Sequence, residues 1–266
     1  MTVADHDPPL PEPDSSFVNN LQDSSQCILL TETIEPVLNR HHRDSTYYIG
    51  QNCGIHWRWS EPPEAVISPG WFYVPNVLPN LNGLQRQTYV LWQELVAPWL
   101  VLEFVVGDGR AERDPTPFVG KYWIYEQAIR VPFYGIYDPT HSDLEMYHLI
   151  EGCYEPLPIN NRGHYPITQL GVELGLWHGW YQQAELPWLR YVDLPWLRWW
   201  DQDGILLPTR EERAEQERQK QELTQHQMER ERQRAEQAEA LLAQERQRAQ
   251  RLAEQLQALG IRPDAV

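Results

Sequence analysis

Hydrophobic residues in the first two hundred positions fall into short runs separated by polar residues. The runs at 47–50, 55–59 and 71–74 predict strands, and the second of them alternates apolar and polar positions. The most apolar run, 99–106, holds one charged residue, Glu103, among apolar side chains. Such a run is typical of a central strand that is buried on both faces of its sheet.

A helix is predicted over 117–129 and a strand over 133–137. Strand, helix and strand around a buried centre predict an α/β or α+β core. A hairpin is predicted over 144–149 and 154–157, and a short helix over 31–39. Residues 1–30 are rich in Pro, Asp, Ser and Asn without periodicity, so we predict a disordered leader there.

The C-terminal part has a different pattern, with no Gly or Pro between Arg210 and Leu259. One seam of a heptad repeat is formed by Met228, Ala235, Leu242, Ala249 and Leu256, and the other by Ala238, Leu252 and Leu259, with Glu231 and Glu245 interrupting it. We predict a coiled-coil helix over 209–260 that associates with itself or with a partner protein, and a flexible end over 261–266. A single solvated helix is the alternative, although a charged helix without a partner is marginally stable.

The formal net charge of −16 is distributed unevenly along the 266 residues. The segment from Thr209 onward has eleven basic and twelve acidic residues, which leaves eleven basic and 26 acidic residues before it. This part, at about −15, would repel a phosphate backbone unless it holds a basic patch or a divalent metal ion. The charge therefore argues against simple DNA binding by a basic surface.

The cysteines and the N-terminus indicate a compartment. The three cysteines, Cys27, Cys53 and Cys153, are widely spaced and form no CxxC pattern, so we expect reduced thiols. There is no apolar run of 18 residues and no signal-peptide pattern at the N-terminus, so we expect a cytoplasmic protein with no membrane partner.

Glu103 is the most informative single residue. A carboxylate on a buried strand is costly unless it is paired or bound to a metal ion. Two further carboxylates, Asp108 and Asp114, and the amine of Lys121 follow within one strand-to-helix connection. We therefore predict a metal site with Glu103 as its main ligand and Asp108 and Asp114 as weaker candidates. In the alternative, Glu103 ends its strand and points into solvent.

Lys121 is the only lysine before residue 220, in a part of the chain that otherwise uses arginine. A lysine can orient or deprotonate a water molecule, which an arginine cannot do in the same way. Lys121 is accordingly a candidate catalytic residue, and a surface charge on a helix is the alternative.

These residues stand in an order that resembles the putative restriction endonuclease (Uma-type) family, which has the PD-(D/E)XK nuclease fold. The matching pattern is a buried strand ending in Glu103, then Asp114, a helix with Lys121 and Tyr125, and a strand ending in Asp138-Pro139. The resemblance covers roughly 45–208. It implies a restriction-endonuclease-like domain at 31–208 in a bacterial protein.

The resemblance also implies a reaction, hydrolysis of a DNA phosphodiester with Mg²⁺ (or Mn²⁺) as cofactor. In this family an Asp and a Glu hold the metal, and a Lys positions or activates the attacking water. Glu103 and Lys121 would be the catalytic residues. The bound metal would supply the positive charge that an acidic domain lacks.

One position departs from the family pattern. The metal-binding Asp that usually follows Pro is replaced by Gly70, which has no side chain to bind a cation. Glu61, Glu64 or Asp108 could replace it, although no spacing shows this. The expected function is thus a Mg²⁺-dependent endonuclease that is impaired, and a non-catalytic scaffold protein acting through its coiled coil is the alternative.

Two other features have less specific explanations. His41 and His42 lack a third ligand at suitable spacing, so we expect a solvated patch in place of a metal site. The Trp-rich segment 177–200 could stack on bases, but we expect its rings to pack in a core and hairpin because Trp has a large apolar area.

Overall fold

The computed structural model of the chain describes residues 22–59, 65–81, 83–181 and 193–258. Its contacts divide the chain into two compact units, Met1–Thr209 and Arg210–Val266. Several predicted features lie outside the described residues, namely the leader up to residue 21, the candidates Glu61 and Glu64, and the flexible end at 261–266.

Within the described residues, the first unit is a mixed α/β structure with one large sheet and three small ones. Its elements, in chain order, are α1 (Asp23–His41), β1 (Tyr47–Gln51), β2 (Gly54–His56), β3 (Val66–Ile67), β4 (Trp71–Pro75), β5 (Asn80–Leu81), β6 (Leu84–Gln85), β7 (Thr88–Val90), α2 (Leu91–Glu94), β8 (Leu100–Phe104), α3 (Lys121–Trp123), a π-helical segment (Ile124–Ile129), β9 (Phe133–Asp138), β10 (Asp143–Ile150), β11 (Cys153–Pro156), β12 (Tyr165–Ile167), β13 (Val172–Gly179) and β14 (Leu194–Asp201).

The large sheet has the strand order β1-β4-β8-β9-β10-β11. Only β8 and β9 pair in parallel within it, and its other neighbouring strands are antiparallel. A parallel pair needs a crossover connection, which α3 and the π-helical segment provide. The carboxyl ends of β8 and β9 therefore lie at the same edge, directly beside the start of α3.

Strand β8 is buried on both faces, as its apolar sequence predicts. Leu100, Leu102 and Phe104 pack on one face, in a core with α1 and the sheet β12-β13-β14. Val101 and Val105 pack on the other face, in a core that includes the π-helical segment. Because side chains alternate along a strand, Glu103 lies on this second face, between the two valines.

Helix α1 begins eight residues earlier than the predicted helix at 31–39. The predicted leader therefore does not extend to residue 30, and this part of the prediction is wrong. The reason is a long-range contact. The Gln26 side chain donates to the carbonyl of Leu197 and accepts from its N–H, each at 2.9 Å. The indole of Trp199 donates to the carbonyl of Leu30 at 3.0 Å. The start of α1 is therefore buried by hydrogen-bond partners about 170 positions away in the sequence.

In the described part of the Trp-rich segment, β13 and β14 pair antiparallel, and the tryptophans of β14 pack in a core as predicted. Trp196, Trp199 and Trp200 on β14 are buried. Trp180 at the end of the hairpin is exposed. The described tryptophans of β14 thus stabilise a core and leave no stack of exposed rings along that strand.

The second unit contains α4 (Arg210–Ala258), a helix of 49 residues with no buried residue. Its seam residues Met228, Leu242, Leu252 and Leu256 are all exposed. Across the part of the chain that the structure describes, no helix combines the length and apolar character needed to cross a membrane.

Candidate active site

Glu103 is buried at the end of β8, with a side-chain exposure of 3%. The alternative in which it points into solvent is therefore wrong. The phenol of Tyr125, from the π-helical segment, donates to its Oε1 at 2.7 Å. Burial raises the pKa of Glu103 above its ordinary value, against the lowering effects of Lys121 and of the Tyr125 hydrogen bond. The fold thus holds a carboxyl group that is expensive to ionise.

Lys121, the first residue of α3, reaches this carboxylate directly. Its Nζ lies 3.1 Å from Oε2 of Glu103 and 3.2 Å from Oε1 of Glu112. Burial lowers the pKa of Lys121, but the two carboxylates outweigh that effect and raise it. The amine is therefore an ammonium at neutral pH, and two of its three N–H groups have carboxylate partners.

Glu112 lies in the loop between β8 and α3, and it is as buried as Glu103, with 3% of its side chain exposed. Its Oε1 contacts Lys121, whereas its Oε2 is buried without a hydrogen-bond partner. Nothing in the local sequence distinguishes Glu112 from the loop carboxylates around it. Its burial comes from the fold of the loop, because the phenol of Tyr134 donates to the Glu112 carbonyl at 2.8 Å.

These three side chains line one polar cavity of about 610 Å³. Its wall also includes Asp23 from α1, together with Asn52, Ser68, Gly70, Phe104, Val106, Gly107, Asp108 and Ala111. The cavity lies at the carboxyl end of β8, where the chain leaves the sheet.

Gly70 lines the cavity, as its place in the sequence pattern suggests, and packing restricts the position. A Cβ atom there would lie 2.7 Å from Cδ2 of Phe104, closer than side chains approach one another. The Gly70 carbonyl accepts from the N–H of Asn52 at 2.9 Å and from Sγ of Cys27 at 3.2 Å. A side chain at position 70 would therefore require Phe104 to move.

The two weaker metal candidates lie in different places. Asp108 lines the cavity, but its side chain is 67% exposed and pairs with Arg110. Asp114 lines a neighbouring open depression and does not line this cavity. Its carboxylate accepts from the N–H and hydroxyl of Thr116, and these bonds lower its pKa. Asp114 thus closes a turn before α3.

That turn explains why α3 starts later than the predicted helix at 117–129. Phe118 has a φ of 64°, in the left-handed region, which a right-handed helix does not contain. The helix begins at Lys121, after Gly120, whose close approach to the Asp114 carbonyl leaves no room for a Cβ. The turn brings Lys121 to the end of β8.

Within residues 22–59, 65–81, 83–181 and 193–258, no group of three or more His, Cys, Asp or Glu could hold a metal ion, in this cavity or elsewhere. Nε2 of His41 bonds to the carbonyl of Leu170 and Nε2 of His42 bonds to the phenol of Tyr73. His41 is exposed and His42 is half-buried against Tyr73, so the expected solvated patch describes His41 better than His42.

A mixed α/β fold with a carboxylate and a lysine at the end of its central strand is consistent with the restriction-endonuclease-like class of proteins. Residues 11–187 match the family model described as "Uma2: Putative restriction endonuclease". This match covers about two thirds of the chain. The chain belongs to this family, which confirms the resemblance seen in its sequence.

A solved structure is also similar to the chain, that of a putative nuclease belonging to DUF820 from Anabaena variabilis ATCC 29413. The two chains are 10% identical, and the alignment covers 61% of this chain and 76% of the other, with a TM-score of 0.36. At this score the likeness carries no argument about the fold or the site. No curated protein matches the chain.

Proposed function

We propose that the chain is a metal-dependent DNA endonuclease of the PD-(D/E)XK type, with Glu103 and Lys121 at its catalytic centre. The observation that carries this proposal is the contact of Lys121 with two buried carboxylates at the wall of an open polar cavity. Membership of the putative restriction endonuclease family supports DNA as the substrate.

The residues present fit one divalent cation. Glu103, Glu112 and Lys121 together carry one net negative charge when all are ionised, and Oε2 of Glu112 has no hydrogen-bond partner. Mg²⁺ is commonly held by one or two carboxylates, with waters and substrate phosphate completing its shell. Glu103 would be the principal ligand. When bound, Mg²⁺ (or Mn²⁺) would neutralise phosphate charge and make a water molecule more acidic.

The role of Lys121 follows from its charge. The two carboxylates raise the pKa of Lys121, so in the metal-free protein its amine is a hydrogen-bond donor. Its remaining N–H would orient the attacking water or a phosphate oxygen. In the hydrolysis, the water oxygen forms a bond to phosphorus, one P–O ester bond breaks, and the leaving oxygen takes up a proton.

Gly70 lowers the expected rate. The family's usual Asp at this position would add a carboxylate, and here that ligand is missing. We propose that cleavage is impaired relative to a family member that keeps the Asp. The acidic charge of the first 208 residues also makes DNA binding depend on the cation.

Nicking of supercoiled plasmid DNA tests this function. The wild type is expected to nick with Mn²⁺ or Mg²⁺ and to stop with EDTA, and Glu103→Gln is expected to lose the activity. Glu173→Gln is the matched control, since Glu173 is a buried carboxylate of β13 that pairs with Arg162 and His164. Absence of nicking by the wild type under all these conditions would contradict the proposal.

A second candidate function is a scaffold that acts through α4. The observation that favours it is the exposure of the seam side chains on a long helix, which would be marginally stable without a partner. We propose self-association of α4 as a coiled coil, and this property is compatible with either function.

A further inference from the structure

We infer that Glu112 supplies the second metal-binding carboxylate of the cavity, the one that Gly70 lacks. The inference rests on the proposed metal-dependent function and adds a residue to its site. It assigns a divalent cation as the ligand that Glu103 and Glu112 share.

The Glu112 carboxylate is in a state that favours metal binding. It is almost fully buried, its Oε1 contacts Lys121, and its Oε2 has no hydrogen-bond partner. A carboxylate oxygen accepts hydrogen bonds from water in the unfolded chain, so burying it without a partner lowers the stability of the folded state. A carboxylate used only as an ion pair would be expected to have both oxygens bonded, as Glu173 does with Arg162 and His164.

The loop holds Glu112 in this costly place. Tyr134 donates to its carbonyl, and the next residue, Arg113, forms an ion pair with Glu145 and donates to the carbonyl of Gly109 at 2.8 Å. These contacts fix the backbone on both sides of the side chain. The carboxylate is therefore positioned at the cavity wall by the fold and does not reach it through chain flexibility.

The charge of Glu103, Glu112 and Lys121 also favours a cation. When Glu103 and Glu112 are both ionised, one ammonium faces two carboxylates, and one negative charge stays uncompensated among these three groups. A divalent cation between Glu103 and Glu112 would neutralise that charge and give Oε2 a partner. Carboxylate oxygens are the ligands that Mg²⁺ and Mn²⁺ prefer.

Two other positions on the cavity wall are less suited to supply this carboxylate. Phe104 occupies the space of a side chain at Gly70, so a carboxylate there conflicts with the packing of the core. Asp108 is largely exposed and pairs with Arg110. Glu112 combines burial, an unsatisfied oxygen and contact with the same lysine as Glu103.

Calorimetric titration of Mn²⁺ into the metal-free full-length chain tests the inference. The wild type is expected to bind Mn²⁺, and Glu112→Gln, which keeps the shape of the side chain, is expected to bind about tenfold more weakly or worse. Glu112→Asp, which keeps the charge and shortens the reach, should fall between them. Glu173→Gln should bind as the wild type does, and circular dichroism of each chain verifies folding.

Wild-type affinity in Glu112→Gln would overturn the inference, and so would a wild type that does not bind Mn²⁺. A parallel plasmid assay separates this result from the proposed function. Binding that depends on Glu112 in a chain that does not nick DNA would support the inference and contradict the endonuclease. Nicking by a chain whose Mn²⁺ affinity does not depend on Glu112 would support the endonuclease and contradict the inference about Glu112.

Discussion

The phenol of Tyr125 donates a 2.7 Å hydrogen bond to Oε1 of Glu103, and both side chains are buried. Tyr125 lies in a π-helical segment, a conformation that often occurs at functional sites. The bond occupies one carboxylate oxygen, while Lys121 contacts the other. Burial and the nearby Glu103 charge raise the pKa of Tyr125 well above its ordinary value, so the phenol remains a donor. The orientation of Glu103 is therefore set by a helix and not by its own strand.

Replacing Tyr125 by Phe should disturb this orientation. Glu103 would lose a donor in a buried place, so we expect a loss of about 1–3 kcal/mol in the free energy of unfolding. Nicking should fall roughly tenfold, since partners that orient a ligand commonly have effects of this size. Tyr154→Phe is the control, because Tyr154 donates to the carbonyl of Val131 and does not contact Glu103. Equal losses of nicking in both variants would refute a positioning role.

Lys121→Met should be the most destabilising single change at the site. It leaves two buried carboxylates without a cation, and removing one member of a buried ion pair costs about 3–5 kcal/mol. Lys121→Arg should keep most of the stability but lose activity, since the planar guanidinium places its donors differently. Urea unfolding measures these effects. Lys220→Met, on the exposed surface of α4, is the control and should match the wild type.

Glu103→Gln should change the pH dependence of stability in metal-free protein. Because the pKa of Glu103 is raised in the folded protein, the stability that this carboxyl contributes is fully present below its ordinary pKa of about 4.5. That stability is lost as the pH rises through the pKa of the folded state. Gln does not ionise and can still accept from Tyr125. At neutral pH the variant should therefore melt higher than the wild type, by roughly 2–4 °C, the shift that about 1 kcal/mol gives in a domain of this size.

Thermal melts in EDTA across this pH range provide the measurement. The difference between the two proteins should close as the pH falls to about 4.5. A variant that is less stable than the wild type at neutral pH would show that the ion pair with Lys121 outweighs the burial of Glu103.

Gly70→Ala tests the packing at the position where the family pattern has a metal-binding Asp. The added Cβ would meet the ring of Phe104, so we expect a loss of about 1–3 kcal/mol, and Phe104→Leu in the same chain should recover part of it. Gly70→Asp alone should fail to raise nicking for the same reason, and Gly70→Asp with Phe104→Leu should raise it. A fully stable Gly70→Asp chain with increased nicking would contradict this account.

The self-association of α4 has a direct test in sedimentation velocity of the full chain. Leu242→Glu together with Leu256→Glu places charges in the heptad seam and should weaken association at least tenfold, or about 1.4 kcal/mol. Leu223→Glu is the control, because Leu223 is exposed on α4 but lies outside the seam. A wild type that is monomeric at every accessible concentration would exclude the coiled coil.

The sequence by itself determined the elements whose causes are local. The apolar run around Glu103 fixed a central strand, because a strand buried on both faces needs apolar residues at consecutive positions. The absence of Gly and Pro after Arg210 fixed the long helix. Glu103 and Lys121 were identifiable as candidate site residues because Glu103 is charged within an apolar run and Lys121 is a lysine where the chain otherwise uses arginine. The family resemblance rested on the order of these residues.

Only the tertiary structure decided which other side chains join that pair. Glu112 looks like any loop carboxylate, and it is buried because Tyr134 and Glu145, from β9 and β10, hold its loop against the sheet. The early start of α1 depends on Leu197, which is 171 residues from Gln26. Burial and long-range hydrogen bonds depend on what packs against a segment, and a local pattern carries no information about those partners.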